Sequence, residues 1–458
     1  MGISESASRQ PLPDAFRSQM EGLLGSEAKV FEESLSKPSP TCIRFNPWKA
    51  SPPLNGKSVP WCAEAIYLEE RPEFVYDPLW HSGQYYVQEA ASMFTGYVLT
   101  QLLPEMEDPV VLDLCAAPGG KSSHLASILY GKGLLVSNEV IRHRLHILRE
   151  NLTKWGLPNT VITHQEAHRF SKLEHFFDVI VVDAPCSGEG LFRKQPEAMQ
   201  EWSENQVEFC ALRQKKIVEE ILPSLKPGGF LIYSTCTYNK LENEQVLESI
   251  CNQQDVKLVP ISIPKGWGIV TDPTSTTFRF FPHLTQTEGF FLAVLQKKEV
   301  PFSKKPIYVK RKYFSWPSKE IKENFSQWFQ LENMVMKQQP NGLLNLLPEY
   351  FMEKIDFLAE WMNVVQAGTE IAEVKGRDLN PTQAAANSTL LHTAFFPNIE
   401  VDLTDALAYL SKHDFQCEGQ LGLNLITYQG KGLGWVKKMS NRINNYYPQE
   451  WRIRQTKK

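Results

Sequence analysis

The sequence predicts an α/β fold with an open, mainly parallel sheet, helices on both faces and a smaller module at each end. Between Val110 and about Gln296, apolar runs of strand length alternate with stretches of helical pattern. The runs cover residues 110–114, 134–138, 160–163, 179–182, 230–234 and 289–295. Because the last run follows a reversal of the chain, we expect it to pair antiparallel and to give the sheet a mixed edge.

The segments before and after this region differ from it in composition. The first part holds a helical pattern near 14–24 and then three prolines around 42–46, which indicates a small accessory module. A second helix is expected to run to about Leu103 and to pack on the sheet. After the sheet come a basic, proline-interrupted stretch, helical patterns at 319–329 and 347–361, and a last region of short strands and turns. At 458 residues, the chain is long enough for two to four domains.

Charge and cysteine usage exclude several classes of protein. With 48 basic and 52 acidic residues the net charge is −4, so binding of nucleic acid must depend on local patches. The 8 cysteines lack paired spacing, which favours a reducing compartment over a disulfide framework and argues against a structural metal site. No apolar run approaches the roughly 20 residues that a membrane helix needs. We therefore expect no metal and no membrane contact.

The turn after the first strand has the composition of a nucleotide-binding loop. A strand ends, small residues follow and a helix begins, which frees backbone N–H groups for a polar or anionic ligand. A phosphate-binding P-loop would need glycine where Cys115 stands, which argues against ATP hydrolysis. The candidate ligand-binding residues of this turn are Cys115, Ala116, Ala117, Pro118, Gly119, Gly120 and Lys121.

Acidic side chains follow the next two strands. Glu139 ends the second strand about 20 residues beyond Gly119, the spacing at which an acidic side chain binds ribose hydroxyls. Glu166 follows the third strand and could accept a hydrogen bond from the amino group of adenine. Either residue alone could instead be a helix cap. Together with the turn, they favour S-adenosylmethionine over a dinucleotide.

Two cysteines follow apolar strands, and the residues next to them are poorly suited to a hydrophobic core. Cys186 lies in Asp-Ala-Pro-Cys-Ser-Gly and Cys236 in Ser-Thr-Cys-Thr. Open α/β sheets bind ligands at the carboxyl ends of their strands, so both thiols are predicted at the ligand edge. A free cysteine is usually a small buried hydrophobe, and this interpretation suits the side chain of Cys115. For Cys186 and Cys236 we predict a functional role at the ligand site instead of a packing role.

A thiolate at this edge could activate a cytosine. Its addition to carbon 6 makes carbon 5 nucleophilic toward an activated methyl group, and the reaction needs an acid near ring nitrogen 3. Asp183, three residues before Cys186, could hydrogen-bond nitrogen 3 and the amino group if burial keeps it protonated. Lys121 is a candidate cation or orienting donor. Residue type alone leaves the roles of Cys186 and Cys236 interchangeable.

These motifs resemble the Nop/Sun family of RNA cytosine-5 methyltransferases, in particular its RsmF (YebU) branch. The resemblance covers most of the chain and implies a Rossmann-like S-adenosylmethionine methyltransferase sheet, an N-terminal accessory module and a C-terminal β-rich PUA-like domain. It assigns Cys236 as the nucleophile and Cys186 to release of the methylated product. By the same resemblance, cofactor or active-site positions fall on Glu139, Arg144, Glu166 and Asp183. Glu166 replaces the more usual Asp, and Gly120 stands where many members have Ser or another small residue.

The resemblance also gives each segment of the chain a role. It implies an N-terminal RNA-positioning module at 1–80, a Rossmann-like methyltransferase domain at 81–298, a basic linker and helical segment at 299–370, and a C-terminal PUA-like RNA-binding domain at 371–458. Residues 43–46 resemble the family's RNA-positioning segment. The tail from Lys431 interleaves basic residues with Trp435, Tyr446, Tyr447 and Trp451, which suits RNA. By composition alone it could equally be a solvated face with core aromatics.

The resemblance predicts methylation of cytosine carbon 5 in ribosomal RNA, in the small subunit above all, through a covalent intermediate on Cys236. The expected cofactor is S-adenosylmethionine, and the expected partner is ribosomal RNA or the small ribosomal subunit. We expect a cytoplasmic monomer. Two alternatives are a tRNA cytosine-5 methyltransferase and an RNA-binding ribosome assembly factor whose catalysis is dispensable. The intact set of Lys121, Asp183, Cys186 and Cys236 argues for turnover.

Overall fold

The structure is a computed structural model that describes residues 11–49, 56–272, 276–299, 309–310, 312–375, 378–415 and 418–454. The N-terminal part contains helices α1 (Asp14–Leu24), α2 (Ala28–Leu35), α3 (Pro78–His81) and α4 (Phe94–Leu102), and strands β1 (Thr41–Phe45), β2 (Lys57–Val59), β3 (Cys62–Leu68) and β4 (Tyr85–Val87). The four strands form one sheet in the order β2-β3-β1-β4. The expected helix near 14–24 is confirmed as α1.

The central part follows the predicted alternation of strands and helices. Its strands are β5 (Val110–Asp113), β6 (Leu134–Asn138), β7 (Thr160–Thr163), β8 (Phe177–Asp183), β9 (Leu225–Thr235), β10 (Val256–Leu258), β11 (Val270–Asp272), β12 (Thr277–Phe280) and β13 (Phe290–Lys297). Its helices are α5 (Gly120–Leu129), α6 (Arg142–Trp155), α7 (Ala198–Glu201), α8 (Glu204–Ile221) and α9 (Glu244–Gln253). All six expected strands are present, and the last of them, β13, is antiparallel to β9 as expected.

Five parallel strands form the middle of this sheet in the order β7-β6-β5-β8-β9. The strand order reverses between β5 and β8, and a crevice at such a switch point is where open α/β sheets bind ligands. Both faces of the sheet are buried, because Val110 and Leu112 pack in the core on one side while Val111 packs on the other. Phe94 and Val98 of α4 share the second core, so α4 packs on the sheet as expected.

The C-terminal part contains strands throughout. Its elements are α10 (Lys319–Ser326), β14 (Met334–Gln338), β15 (Leu343–Pro348), α11 (Met352–Trp361), β16 (Val364–Ala367), β17 (Thr369–Lys375), β18 (Asp378–Pro381), α12 (Gln383–Asn387), β19 (Asn398–Glu400), α13 (Leu403–Ser411), β20 (Gly422–Tyr428), β21 (Lys431–Lys438) and β22 (Ile443–Asn445). They form two sheets, β14-β15-β17-β18 and β19-β20-β21-β22. Leu344 and Ile371 of the first sheet share a core with Leu425 and Trp435 of the second.

The region 299–370 differs from the expected linker with helices. Besides α10 and α11 it contains β14, β15, β16 and the start of β17. Side chains of β15 are buried, such as Leu346 at 0 % exposure, and pack in the core that its sheet shares with β20 and β21. Strand β16 leaves this part of the chain and pairs antiparallel with β7, so it forms one edge of the main sheet. The basic residues Lys304, Lys305 and Arg311 lie outside the described residues, and the four domain boundaries stay a prediction.

Segment 43–46, which resembles an RNA-positioning segment, is mostly buried. Ile43, Arg44 and Asn46 are all buried. Arg44 Nε donates to Gln88 Oε1 at 2.8 Å, and Arg44 Nη2 donates to Ser123 Oγ of α5 at 2.6 Å. The guanidinium also lies over the ring of Trp155, 4.5 Å from its centroid. Arg44 therefore fastens the N-terminal sheet to the central part.

Helix α6 ends where the C-terminal part approaches it. Gly156 follows the helix with a φ of 80°, and its N–H donates to Leu152 O at 3.1 Å. A Cβ atom at this position would lie 2.0 Å from the carbonyl oxygen of Asn387 in α12. Only glycine therefore allows this contact between the two parts. Among the described helices, none is both long and apolar enough to cross a membrane.

Candidate active site

Two neighbouring parallel strands carry the two loops that hold the cysteines. Asp183 ends β8 and is paired in register with Ser234 near the end of β9. Cys186 and Cys236 follow these strand ends, and their Sγ atoms lie 3.2 Å apart. The fold thus brings together two thiols that are 50 positions apart in the sequence.

Further contacts fix the two loops against each other. The hydroxyl groups of Ser187 and Thr237 lie 3.1 Å apart, and the N–H of Gly190 donates to Cys236 O at 2.8 Å. A Cβ atom on Gly190 would lie 2.5 Å from Gly289 O and 2.8 Å from Cys236 O. A side chain here would separate the loops, so glycine is needed for the thiols to meet.

The environment of Cys186 favours its protonated form. The hydrogen bond to Cys236, burial, and the negative charges of Cys236 and Glu242 raise the pKa of Cys186 well above its ordinary value. Cys186 therefore holds its proton and can donate it to the Cys236 sulfur. A protonated thiol in contact with a second sulfur can take part in proton transfer.

A buried glutamate that the sequence reasoning missed supports the Cys186 loop. Glu242 Oε2 accepts hydrogen bonds from the backbone N–H of Ser187 at 2.9 Å and from Gln214 Nε2 at 3.0 Å. Its other oxygen, Oε1, accepts from Ser187 Oγ. Burial raises the pKa of Glu242 to about 7, despite these hydrogen bonds. The residue fixes the backbone directly after Cys186 and can exchange a proton near neutral pH.

Lys121 and Asp183 form an ion pair beside the thiols. Lys121 Nζ lies 2.8 Å from Asp183 Oδ2, and Ser234 Oγ donates to Asp183 Oδ1 at 2.8 Å. Burial lowers the pKa of Lys121, but the charge and hydrogen bond of Asp183 and the charges of Asp113 and Cys236 outweigh it, so the pKa lies above its ordinary value. The Asp183 side chain is 35 % exposed, so the burial on which its expected protonation depended is incomplete. The raised pKa keeps Lys121 protonated.

A cleft of about 500 Å³ lies at the carboxyl ends of β5, β6 and β7, a size typical of sites for small ligands. Its lining includes Leu114, Cys115, Asn138, Glu139, Ile141, Arg144, Gln165, Glu166, Pro185, Arg213 and Lys216. Pro185 lies between Asp183 and Cys186 in the chain, so the cleft borders the thiol loops. Asn138, Gln165 and Arg213 were missed by the sequence reasoning, because no motif marks them.

Glu139 has one carboxylate oxygen engaged and one available. Its Oε1 accepts a hydrogen bond from the N–H of Ile141 at 2.8 Å. Its Oε2 is buried and lacks a hydrogen-bond partner among the described residues. This oxygen forms an ion pair with Arg144 Nη1 at 3.7 Å. The alternative of a helix cap therefore accounts for one oxygen only. A buried, unpartnered carboxylate oxygen in a cleft fits the hydroxyl groups of a ribose.

Glu166 and Arg144 complete the charged lining. Glu166 is exposed, immediately precedes a short 3₁₀ helix (Ala167–Lys172), and makes no side-chain capping hydrogen bond. Its carboxylate is therefore available to a ligand in the cleft. Arg144 Nη2 donates to the carbonyl oxygen of Ala117, which links the acidic wall to the turn.

The turn at 115–121 joins the cleft to the thiol loops. Cys115 is half-buried and lines the cleft, Ala116 and Ala117 are buried, and Lys121 reaches Asp183. The peptide bond before Pro118 is cis, and Gly119 has a φ of 107° at the start of α5. These features reverse the chain between β5 and α5 within a few residues.

The N-terminal sheet holds this turn in place. Tyr86 of β4 packs on Gly120, where a Cβ atom would lie 3.3 Å from Tyr86 Cε1. A serine at this position, as in many relatives by the resemblance, would need a small movement of that ring. Asn151 Nδ2 of α6 donates to Pro118 O at 2.8 Å and to the Tyr86 hydroxyl at 3.4 Å. The N-terminal part therefore contributes directly to the ligand site.

Three family models match the chain. Residues 99–296 match 16S rRNA methyltransferase RsmB/F, residues 12–90 match the N-terminal domain of 16S rRNA methyltransferase RsmF, and residues 396–453 match the methyltransferase RsmF PUA domain. These matches confirm the expected resemblance and the expected architecture of an N-terminal module, a Rossmann-like methyltransferase sheet and a C-terminal PUA domain.

Individual relatives cover most of the chain. Ribosomal RNA small subunit methyltransferase F of Shewanella loihica is 30% identical over 425 residues, which are 90% of this chain and 85% of the relative. The protein of the same name from Erwinia tasmaniensis is 30% identical over 473 residues, 97% of each chain. A solved methyltransferase homologue from Pyrococcus horikoshii has 31% identity and a TM-score of 0.53, covering 62% of this chain and 95% of that one.

Proposed function

Since the chain belongs to the RsmF family of 16S rRNA methyltransferases, we propose that it methylates carbon 5 of a cytosine in small-subunit ribosomal RNA. The observation that carries the proposal is the thiol pair Cys186 and Cys236, 3.2 Å apart at the carboxyl ends of β8 and β9. A pair of thiols beside an ion pair and a nucleoside-sized cleft suits a reaction that adds one thiol to a base and later expels it.

The residues of the cleft fit S-adenosylmethionine. Glu139 Oε2 would accept hydrogen bonds from the ribose hydroxyls, and Glu166 would accept one from the adenine amino group. The turn at 115–121 would face the polar end of the molecule with its backbone. When bound, S-adenosylmethionine supplies the electrophilic methyl group. The border between the cleft and the thiol loops at Pro185 supports this placement.

Cys236 begins the proposed reaction at the RNA base. Its thiolate forms a bond to cytosine carbon 6, and the electrons of the carbon 5–carbon 6 double bond move into the ring. Asp183 receives a hydrogen bond from the exocyclic amino group, while Lys121 donates a proton or hydrogen bond at nitrogen 3 and balances the charge. Carbon 5 thereby becomes nucleophilic and takes the methyl group. The target base must leave its helix to reach these atoms.

Cys186 completes the proposed reaction. A base must remove the proton from methylated carbon 5, so that the double bond re-forms and the bond between Cys236 and carbon 6 breaks. Cys186 lies within contact of the Cys236 sulfur; after it passes its own proton by way of Ser187 to Glu242, its thiolate is placed to take the proton from carbon 5. Glu242, linked to this loop through Ser187, is a candidate to receive the proton because its pKa is about 7.

The C-terminal tail supplies some of the side chains expected for RNA. Trp435 and Tyr447 are each 1 % exposed, so these two aromatics belong to the core, whereas Tyr446 is 37 % exposed. Lys437, Arg442 and Arg454 are exposed on the same part of the chain. Lys457 and Lys458 lie outside the described residues. We assign the exposed basic residues and Tyr446 to contacts with the RNA backbone and bases. We also propose that the protein is a cytoplasmic monomer.

Transfer of tritiated methyl groups tests the proposed substrate. The full chain is incubated with labelled S-adenosylmethionine and with stripped 16S rRNA, assembled small subunits or tRNA, and the labelled nucleoside is identified after digestion. We expect 5-methylcytidine in the small-subunit RNA. Label on tRNA alone would contradict the substrate, and label on another base or ring position would contradict the chemistry.

Replacement of Glu139 is expected to weaken cofactor binding without harming the fold. Glu139→Gln removes the charge that accepts the ribose hydroxyls, and hydrogen bonds to charged groups contribute roughly 1.5–3 kcal/mol, so the dissociation constant should rise about 10- to 150-fold. Titration calorimetry with S-adenosylmethionine measures the change. Glu208→Gln, on an exposed face of α8, is the matched control. An unchanged affinity in Glu139→Gln would remove Glu139 from the cofactor site.

A further inference from the structure

Three side chains with metal-ligating atoms meet where the N-terminal sheet contacts α5. Cys62 and Glu64 lie two positions apart on β3, so both side chains point to the same face of the strand. His124 comes from α5. Cys62 Sγ lies 3.7 Å from Glu64 Oε2 and 3.8 Å from His124 Nε2, and the three ligand atoms all lie within 4.8 Å of one another. None of these residues belongs to the site described above.

We propose that Cys62, Glu64 and His124 bind a zinc ion, with water as the fourth ligand. Zinc binds thiolate at about 2.3 Å and nitrogen or oxygen at about 2.0–2.2 Å in a tetrahedron, which places the sulfur roughly 3.5 Å from its neighbouring ligand atoms. The observed separations of 3.7 and 3.8 Å differ from this by only a few tenths of an ångström. The third separation, between the Glu64 and His124 ligand atoms, lies within 4.8 Å, and a rotation of the exposed Glu64 side chain would bring its carboxylate to the ion.

The charges of the ligands suit a divalent cation. The thiolate and the carboxylate together neutralise the ion. His124 Nε2 faces the Cys62 sulfur, so this nitrogen is placed to be the third ligand atom. As the zinc–sulfur bond forms, the thiol proton of Cys62 leaves to solvent. Cys62 and His124 are buried, while the exposed Glu64 leaves a path for the ion and its water.

Arg44 is a positive charge near the proposed position of the zinc ion. Its guanidinium is held by Gln88 and Ser123 and lies over Trp155, so it is already fixed by other groups. The complex of zinc with Cys62 and Glu64 carries no net charge, and its thiolate would face this cation favourably. Arg44 is therefore compatible with the metal.

The metal would fasten two parts of the chain near the ligand site. His124 follows Lys121 by about one turn of α5, and α5 begins at the turn at 115–121. Cys62 and Glu64 belong to the N-terminal sheet, whose β4 packs on the same turn. Zinc at this position would stabilise the seating of α5 on that sheet.

Metal analysis of the purified full chain tests the proposal. Because Cys186 and Cys236 could themselves bind zinc, the measurement is made in a Cys186→Ser/Cys236→Ser background. We expect one zinc per chain by elemental mass spectrometry after dialysis, and, on exchange with cobalt, a thiolate-to-cobalt charge-transfer band with the visible bands of a tetrahedral site. Adding Cys62→Ser should remove both signals. Cys251→Ser, at a half-buried thiol of α9, should keep them.

A substitution of the exposed ligand, Glu64, separates loss of zinc binding from misfolding. Glu64→Gln leaves the buried pair intact, and we expect its zinc affinity to fall more than about tenfold, since even indirect supports of a metal are worth 10- to 100-fold. With a chelator present, its melting temperature should match that of the parent chain. Absence of zinc and of the cobalt charge-transfer band from the background chain would overturn the proposal. Retention of both in Cys62→Ser would also overturn it.

Discussion

Cys236→Ala is expected to abolish methyl transfer and to leave no covalent adduct with RNA. Without its sulfur no bond to cytosine carbon 6 can form, so carbon 5 stays a poor nucleophile. Removal of a covalent nucleophile lowers turnover by about 10⁴-fold or more in well-studied enzymes. Transfer of tritiated methyl groups to small-subunit RNA, followed by denaturing gels, measures both turnover and adduct. Affinity for S-adenosylmethionine should stay unchanged, because the cleft is lined by other residues.

Cys251→Ala is the matched control for this experiment. Cys251 is a free thiol on α9, away from both strand-end loops, and its loss should leave turnover near that of the parent chain. An adduct that persists in Cys236→Ala would show that Cys186 attacks instead. The two thiols would then have exchanged the roles that the family resemblance assigns to them.

Cys186→Ala is expected to permit attack and methylation but to trap the methylated adduct. The base that removes the proton from carbon 5 is then missing, so Cys236 cannot be expelled. Loss of a positioned general base costs about 10²- to 10⁴-fold in rate. Steady-state turnover should therefore fall by this factor, while a tritium-labelled complex of protein and RNA accumulates on a denaturing gel.

Three outcomes decide whether the two thiols divide the work. A labelled adduct in Cys186→Ala alone supports the division. Equal inactivity of both single variants without an adduct would contradict it. Normal turnover of Cys186→Ala would show that another group, such as Glu242, removes the proton directly.

The main sheet could be predicted because its strands are buried on both faces. Val110, Val111 and Leu112 are all apolar, and such uninterrupted short runs, separated by helical patterns, indicate parallel strands. The C-terminal strands were harder to recognise. In the region 299–370 the apolar residues of β15 adjoin the start of α11, and a short apolar run fits either structure.

The thiol site could be predicted because it follows from strand ends. The turn at 115–121 and the loops after β8 and β9 meet at one edge of a parallel sheet, which is why Lys121, Asp183, Cys186 and Cys236 lie together. Glu242 and Arg213 reach the site from helices and loops through tertiary packing, and no local spacing marks them. The burial of Arg44 could not be predicted, because an arginine in the sequence gives no sign of whether its side chain is buried.

The cluster at Cys62 shows the same limit for metal sites. Local spacing argued against zinc, yet the third potential ligand, His124, is separated from Cys62 by 62 positions in the chain. Spacing rules detect sites built within one short segment. A site assembled between a strand of one module and a helix of another becomes visible only in three dimensions.

The pairing of β16 with β7 has a consequence for how the chain can be divided. Strand β16 pairs with the outer side of β7. A chain shortened after β13 would therefore leave the backbone N–H and C=O groups on that side of β7 unpaired. This exposed edge would lie beside the strand end that leads to Glu166. Bare edges recruit other strands and promote aggregation. The C-terminal part of this chain therefore covers one edge of the main sheet.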